Sequence, residues 1–314
     1  MDKPRFVSRQ KENALYGKVV WSPLLSAWVM GMATASIVGG ALTVSLAHIS
    51  VFLVTTAISL CFGHSLGMHR LLIHRSYQTF KPLEYVLVWL GVLVGLAGPR
   101  GMMFTHDLRD WAQRQSQCHD YFAHRNRWFV DCWWQLNCRI ELDNPPRFDP
   151  ESEFETDPVY RWMERYWMAQ QVIPALGLYL LGGLPWVIWG VCMRVTVSVL
   201  GHWLIGYFAH NQGHRDWHVQ GAGVQGYNLK FLSLITMGEN WHNNHHAFPG
   251  SARLGLKKGQ MDPGWWVLLA LQKVRIVWGI NRPEDLSARK ELAPLIPAKA
   301  VATNGDESSA TVSR

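Results

Sequence analysis

Two long segments of this 314-residue chain carry almost no charge, and they constrain its fold more than any other feature. Between Lys18 and Arg70 there is no Asp, Glu, Lys or Arg, and between Arg165 and Arg215 the only charged residue is Arg194. Each segment is about 50 residues long, whereas a helix needs about 20 apolar residues to cross a bilayer. Each therefore has room for two spans and a tight turn, which excludes a simple soluble globular fold.

The pattern predicts an all-α integral membrane protein, in which four transmembrane helices carry a cytoplasmic helical cap. The first segment divides near residues 47–50, and the second divides at 182–185, where two Gly and a Pro interrupt the apolar run. Both turns are uncharged, whereas the other segments are basic, and basic loops favour the cytoplasm. The predicted spans are about 22–46, 50–67, 167–182 and 186–208.

The rest of the chain fits around these spans. Residues 1–295 are predicted to form one membrane domain, and 296–314, rich in Ala, Ser and Thr, a disordered tail. The apolar stretch 85–99 is too short to span and is expected to be an interfacial or re-entrant helix. The aromatic stretch 262–280 fits a helix on the membrane surface or a buried helix of the cap.

Composition excludes two other classes of protein. The net charge is +7, but the basic residues are scattered among 17 Trp rather than gathered into a stripe, so they indicate a membrane surface and not a nucleic acid. The five cysteines include no CxxC pair, so neither a disulfide framework nor a thiolate zinc site is predicted.

Histidines concentrate where the apolar spans meet the predicted cytoplasmic side. Bringing many imidazoles to one membrane face is costly unless a metal organises them, and imidazole binds iron, zinc, copper and nickel alike. In the run WHNNHH, histidines three and four residues apart share a helical face and reach one or two metal ions. The candidates are His64, His69, His74, His106, His202, His210, His242, His245 and His246.

The first histidine pair lies at the end of the second predicted span. His69 and His74 are five residues apart and do not share a face of a regular α-helix, so one is expected in the last turn and the other just beyond it. Arg70 and Arg75 beside them are expected to extend to the membrane interface.

The sequence around these histidines resembles the membrane-bound fatty acyl desaturases of the stearoyl-CoA (delta-9) type. Residues 67–77 read GMHRLLIHRSY and are similar to the first histidine box of the family, HxxxxH followed by RSY. Residues 238–249 read GENWHNNHHAFP and are similar to its third box, HxxHH. Order, spacing and the four-span topology agree from about residue 20 to 290.

The resemblance implies an O2-dependent oxidoreductase that introduces a double bond into a fatty acyl chain. It implies two nonhaem iron ions on the cytoplasmic side, with His210 as a ligand outside the boxes. The acyl chain would be carried by acyl-CoA, acyl carrier protein or a glycerolipid. No haem or flavin motif is visible, so a separate donor such as ferredoxin or cytochrome b5 is expected to supply electrons. The implied histidine ligands are His69, His74, His106, His210, His242, His245 and His246.

The middle box departs from the family pattern. Where the family has HxxHH, this chain reads HDLRDW from His106, and Arg109 cannot bind a metal because its guanidinium stays protonated. Asp110 lies one helical turn after His106, either as a metal ligand or as the ion-pair partner of Arg109 or Arg114. Gly206 stands where the family usually has an Asn near the metal.

Other residues are candidates for supporting roles. His119 and His214 are candidate substitutes for the two missing imidazoles. His64 and His202 are candidate ligands as well. The alternative for each of these four histidines is a surface residue or a residue that supports the ligands. Asp107, Asp120 and Glu239 are expected to orient ligand imidazoles by accepting their second N–H.

Two alternatives to desaturation stay open at this point. The altered middle box is compatible with the same scaffold acting as a lipid hydroxylase or oxidative decarboxylase. It is also compatible with an inactive membrane scaffold, although the seven retained histidines argue against that.

Overall fold

The structure is a computed structural model that describes residues 5–7 and 15–295, and it is mostly helical. The predicted tail, 296–314, lies outside the described residues. Three helical segments in the described part are long and apolar enough to cross a membrane, namely Pro23–Thr43, Leu46–Ile73 and Ala169–Asn211.

The first two long segments follow each other with a two-residue turn between them. Helix α1 (Pro23–Thr43) starts with Pro23, whose missing N–H is not needed in a first turn. Helix α2 (Leu46–Ile58) starts after Ser45, whose Oγ accepts a hydrogen bond from the His48 backbone N–H at 3.2 Å. It continues as a π-helix (Ser59–Ile73), so this segment extends beyond the span 50–67 expected from the sequence. The turn before it lies at 44–45 and not near 47–50 as predicted, because Ser45 caps a helix that already includes 47–50.

The third long segment is interrupted by glycine. Helix α9 (Val172–Val187) leaves the helical conformation at Gly182 and at Gly183, where φ is +70° and ψ is −164°. Only glycine adopts that conformation without strain. After a π-helical turn (Ile188–Met193) the chain enters α10 (Arg194–Asn211). The break falls at the turn predicted from the sequence.

The remaining helices are shorter and lie between and after the apolar segments. The stretch 85–99 contains the end of one helix, a loop and the start of another. These helices are α3 (Lys81–Val92), α4 (Pro99–Gln113), α5 (Asp120–Ala123), α6 (Trp128–Asn137), α7 (Ser152–Thr156), α8 (Pro158–Arg165), α11 (Ser233–Thr236), α12 (His242–Ala247) and α13 (Pro263–Lys273).

Short antiparallel strand pairs tie distant parts of the chain together, which the all-α prediction did not include. The longest pair joins β2 to β4, in register from Gly17 opposite Leu142 to Trp21 opposite Cys138. The other pairs are β1 with β5, β3 with β7, and β6 with β8. The strands are β1 (Phe6–Val7), β2 (Gly17–Trp21), β3 (Gln78–Thr79), β4 (Cys138–Leu142), β5 (Arg147–Phe148), β6 (Trp217–Val219), β7 (Val277–Trp278) and β8 (Leu292–Pro294).

Arg70 does not extend to the membrane interface, so that expectation was wrong. Its side chain is 1% exposed, and its Nη2 donates to Asp262 Oδ1 at 2.8 Å. Asp262 also accepts from the Trp265 backbone N–H at the start of α13. The pair joins α13 to the π-helix Ser59–Ile73, which contains Arg70. A guanidinium that is buried away from water needs a carboxylate partner that is buried with it. Arg75 is 43% exposed and pairs with Glu151 at 3.0 Å.

Arg194, the single charge of the second apolar segment, is 2% exposed and bonds across several elements. Its Nε donates to the Gly190 carbonyl at 2.8 Å and its Nη2 to Gln171 Oε1 at 2.6 Å. Its Nη1 donates to Ser59 Oγ at 3.4 Å and to the Leu93 carbonyl. These bonds join α10 to the π-helix Ser59–Ile73 and to the end of α3. They also give the buried N–H groups of Arg194 hydrogen-bond partners.

Candidate metal centre

The structure gathers seven histidines into two adjoining clusters. Within each cluster the ligand nitrogens all lie within 4.8 Å of one another. We call the larger the four-histidine cluster, formed by His69, His74, His106 and His245, and the smaller the three-histidine cluster, formed by His210, His242 and His246.

The four-histidine cluster is built from three parts of the chain. The π-helix supplies His69, and His74 follows at its C-terminus, where the His74 N–H donates to the His69 carbonyl at 3.0 Å. This hydrogen bond joins residues five apart, as in a π-helix, and it brings the two rings to a centroid distance of 4.7 Å. Helix α4 adds His106, whose Nε2 lies 3.4 Å from His74 Nε2, and α12 adds His245.

The three-histidine cluster lies at the end of α10 and the start of α12. His242 Nε2 lies 3.1 Å from His210 Nε2 and 3.0 Å from His246 Nε2. His242 and His246 are one helical turn apart and share a face of α12, whereas His245 faces the other cluster. The HxxHH run is therefore divided between two clusters, with the His245 and His246 rings 6.0 Å apart.

Burial favours the neutral form of the histidines of α12. Burial lowers the pKa of His242 and His245 well below the ordinary value, and it lowers the pKa of His246 to about 4. Both ring nitrogens of His245 are buried without a hydrogen-bond partner among the described residues. Histidine binds metals as the neutral imidazole. The unpartnered ring of His245 and the close approach of the nitrogens within each cluster therefore fit a bound metal.

Two carboxylates contact histidines of the four-histidine cluster at Nδ1. Glu239 Oε2 lies 2.7 Å from His69 Nδ1, and its Oε1 accepts from Ser65 Oγ at 2.6 Å. Burial favours the protonated form of Glu239, but His69 and Arg70 outweigh it and hold its pKa below the ordinary value. Asp107 Oδ1 lies 3.2 Å from His106 Nδ1. Such contacts fix the tautomer and orientation of a ligating imidazole.

Comparison with known proteins identifies the scaffold that carries these clusters. A profile of the fatty acid desaturase family matches residues 46–258. The chain belongs to the fatty acid desaturase family. This desaturase therefore introduces double bonds into acyl chains, and the family predicted from the histidine boxes is confirmed.

Individual relatives agree with the profile. The sn-1 stearoyl-lipid 9-desaturase of Anabaena variabilis is 35% identical over 67% of this chain and 75% of its own length. The acyl-CoA C20 Delta5-desaturase of Anemone leveillei is 30% identical over 73% of this chain and 72% of its own length. The sn-2 palmitoyl-lipid 9-desaturase of Nostoc is 33% identical over 67% of this chain and 73% of its own length.

Asp110 of the desaturase lies outside both histidine clusters. Its Oδ2 lies 3.5 Å from Arg114 Nη2, the ion pair that the sequence offered as an alternative to metal binding. Burial raises the pKa of Asp110, but His106 and Arg114 together lower it more, so the carboxyl is ionised. Arg109 is not its partner in this pair, because Arg109 Nη2 donates to Gln135 Oε1 at 2.7 Å.

The candidate substitute histidines are not members of either cluster. His119 Nδ1 accepts a hydrogen bond from the Tyr121 backbone N–H at 3.1 Å. His214 is 56% exposed and pairs with Asp216 at 2.7 Å. His64 and His202 contact each other with a ring centroid distance of 5.2 Å. Asp120 begins α5 and has no hydrogen bond to a cluster histidine among the described residues.

Sequence reasoning missed one histidine beside the centre. His124 is 1% exposed and its ring stacks on His210 at a centroid distance of 5.4 Å. It belongs to no histidine box, and its partner Asp131 follows seven residues later on another helix. Neither residue forms a spacing motif, so only the folded chain reveals the pair.

Proposed function

We propose that this desaturase holds two nonhaem iron ions, one in each histidine cluster. The observation that carries the proposal is the pair of adjoining histidine clusters that share α12, in each of which the ligand nitrogens lie within 4.8 Å of one another. Imidazole suits iron, and bound iron would supply the activation of O2 at the centre. The proposed ligands are His69, His74, His106 and His245 for one ion, and His210, His242 and His246 for the other.

The reaction balances only with an external electron donor. The acyl chain gives up two hydrogens, and therefore two electrons, when a carbon–carbon single bond becomes double. Reducing O2 to two water molecules takes four electrons, so two electrons and two protons come from elsewhere. We assign the electrons to a separate protein such as ferredoxin or cytochrome b5, since the chain has no haem or flavin motif.

We propose that residues 1–295 form one domain with four membrane spans, which lie within Pro23–Thr43, within Leu46–Ile73 and on either side of the glycine break in Ala169–Asn211. The glycine break in the third long segment supports two spans there, because it occurs between two apolar helices with exposed Leu side chains. Both termini and the clusters would lie on the cytoplasmic side, where the basic segments are.

The names of the relatives suggest the substrate class. They include enzymes named for acyl-CoA and for stearoyl-lipid or palmitoyl-lipid substrates. We therefore propose that this desaturase acts on an acyl-CoA or on an acyl chain of a glycerolipid, with acyl carrier protein as the remaining alternative. Lipid-class separation before fatty-acid analysis distinguishes these carriers.

Fatty-acid profiling of a host that expresses the protein tests the reaction. We expect new monounsaturated chains, two hydrogens short of their precursors, and two iron ions per purified chain. Hydroxylated or shortened chains would favour hydroxylation or decarboxylation instead. Purified protein without iron and without new products would contradict the proposal.

Single-histidine variants test the ligand assignment. His245→Ala and His246→Ala each remove one imidazole from a different cluster, so each is expected to retain about one of two iron ions and no activity. His218→Ala, which changes a histidine of β6 outside the clusters, is the matched control. Full iron content in the His245→Ala protein would exclude the third histidine box as the site.

A further inference from the structure

The buried pair of His124 and Asp131 has no assigned role in the centre. His124 Nδ1 lies 2.9 Å from Asp131 Oδ2, and the exposed fractions of the two side chains are 1% and 0%. Trp203 Nε1 donates to the same Asp131 oxygen at 2.8 Å. Both contacts fix the carboxylate, and the carboxylate fixes the imidazole.

This pairing determines which nitrogen of His124 is free. An ionised carboxylate only accepts hydrogen bonds, so His124 Nδ1 carries the hydrogen and Nε2 carries the lone pair. Nε2 is buried and has no hydrogen-bond partner among the described residues. A buried acceptor without a partner is destabilising, so the Nε2 lone pair needs a partner.

His124 Nε2 lies beside Gly206, and the His124 ring stacks on the ring of His210, a member of the three-histidine cluster, at a centroid distance of 5.4 Å. Gly206 lies one turn before His210 on α10, and a Cβ at this position would be 3.2 Å from His124 Nε2. Because residue 206 is a glycine, no side chain of this residue lies against Nε2. The three-histidine cluster has one imidazole fewer than its neighbour, so its metal would keep more positions for other ligands.

The distances favour an indirect contact with that metal. Two nitrogens that bind one metal at about 2.1 Å each are at most about 4.2 Å apart. His124 is not part of the group whose nitrogens all lie within 4.8 Å of one another, so it does not bind directly together with all three. One water molecule extends the reach by a hydrogen bond of about 2.8 Å.

We propose that His124 supports the metal of the three-histidine cluster through its Nε2 and one bridging water molecule. Asp131 and Trp203 hold the ring in place for this contact. The proposal rests on the proposed function, in which each cluster binds one metal ion. It makes His124 a positioning residue, placed by the fold rather than by a histidine box.

A His124→Asn variant separates this role from a structural one. The Asn amide can still donate to Asp131 from near the Nδ1 position, but it has no atom at Nε2. Asn also tolerates the left-handed conformation of residue 124, where φ is +52°. His119→Asn, the same substitution just before α5, is the matched control.

The experiment is a Co2+ titration of the metal-free full-length protein, followed by the visible absorption of the cobalt–imidazole sites. We expect wild-type protein and His119→Asn to bind two Co2+ ions with the same spectra. In His124→Asn one ion should bind about 10- to 100-fold more weakly, the usual effect of losing an outer partner. The spectrum of that ion alone should change, and the other site serves as the control for folding.

The alternative results are distinct. Two ions bound by His124→Asn with wild-type affinity and spectra would overturn the role of His124 while leaving the proposed function intact. Equal weakening of both ions would also overturn it, because the effect would then be a general loss of structure. Fewer than two ions bound by the wild-type protein would contradict the proposed function itself.

Discussion

At the scale of single residues, two acids beside the centre differ in what they contact. Glu239 has both oxygens engaged, one by His69 Nδ1 and the other by Ser65 Oγ. Asp110 instead pairs with Arg114, whose side chain is 44% exposed. A carboxylate that orients a ligand imidazole affects metal affinity, whereas a partly exposed ion pair contributes little.

Glu239→Gln is expected to weaken metal binding in the four-histidine cluster by about 10- to 100-fold. The amide has no negative charge beside His69 Nδ1, so the contact that fixes the tautomer of the His69 ring is weakened. Metal titration of the apo-protein measures the change. Glu155→Gln, at an exposed acid that pairs with Arg100 at 3.2 Å, should bind metal like the wild type. Equal affinities in the two variants would refute the role of Glu239.

Asp110→Asn is expected to leave the iron content unchanged and to lower the free energy of unfolding by about 0–1 kcal/mol. The ion pair that it removes, with Arg114, is partly exposed, and the attraction of Asp110 to His106 involves no hydrogen bond among the described residues. Iron analysis and denaturant unfolding measure both quantities. The sequence also offered Asp110 as a metal ligand, and this alternative predicts that Asp110→Asn loses iron. A variant that loses one of two iron ions would establish it.

At the scale of elements, the sequence predicts the geometry of one helix of the site, α12, but not that of the π-helix Ser59–Ile73. The i, i+3, i+4 spacing in α12 predicts that its histidines reach one or two metals, since regular helical periodicity depends only on local sequence. The π-helix that brings His69 to His74 was not predictable from spacing. Arg70 was misread because its partner Asp262 is 192 residues away. His124 was missed for the same reason, since Gly206 is distant in sequence.

The glycine break between α9 and α10 is expected to need Gly183. With φ at +70° and ψ at −164°, an Ala at this position is strained by about 1–3 kcal/mol. Gly183→Ala should therefore lower the Tm of the purified protein in detergent. Gly177→Ala, in the same helix with nothing within 4 Å of the added Cβ, is the control and should not lower it. Equal Tm values for both variants would show that the break tolerates a side chain.

At the scale of the whole molecule, charge and apolar surface are distributed in a way that fits one orientation in a bilayer. Large apolar side chains are exposed along the long segments, among them Leu42, Leu46, Leu180 and Leu181. The turns at 44–45 and 182–183 carry no charge, whereas the segments at the opposite ends of the helices are basic. These features fit the proposed orientation, with lipid around the apolar surface and the basic segments on the cytoplasmic side.

Topology reporters test this orientation. An insertion after Val44 or after Gly183 is expected to report the external side, because each lies in an uncharged turn between apolar helices. An insertion after Gly221, an exposed turn on the cluster side of α10, is expected to report the cytoplasm. Retained desaturase activity shows that each fusion is folded. If insertions after Val44 and Gly221 report the same side, the four-span arrangement is wrong, because an odd number of spans must separate these two positions.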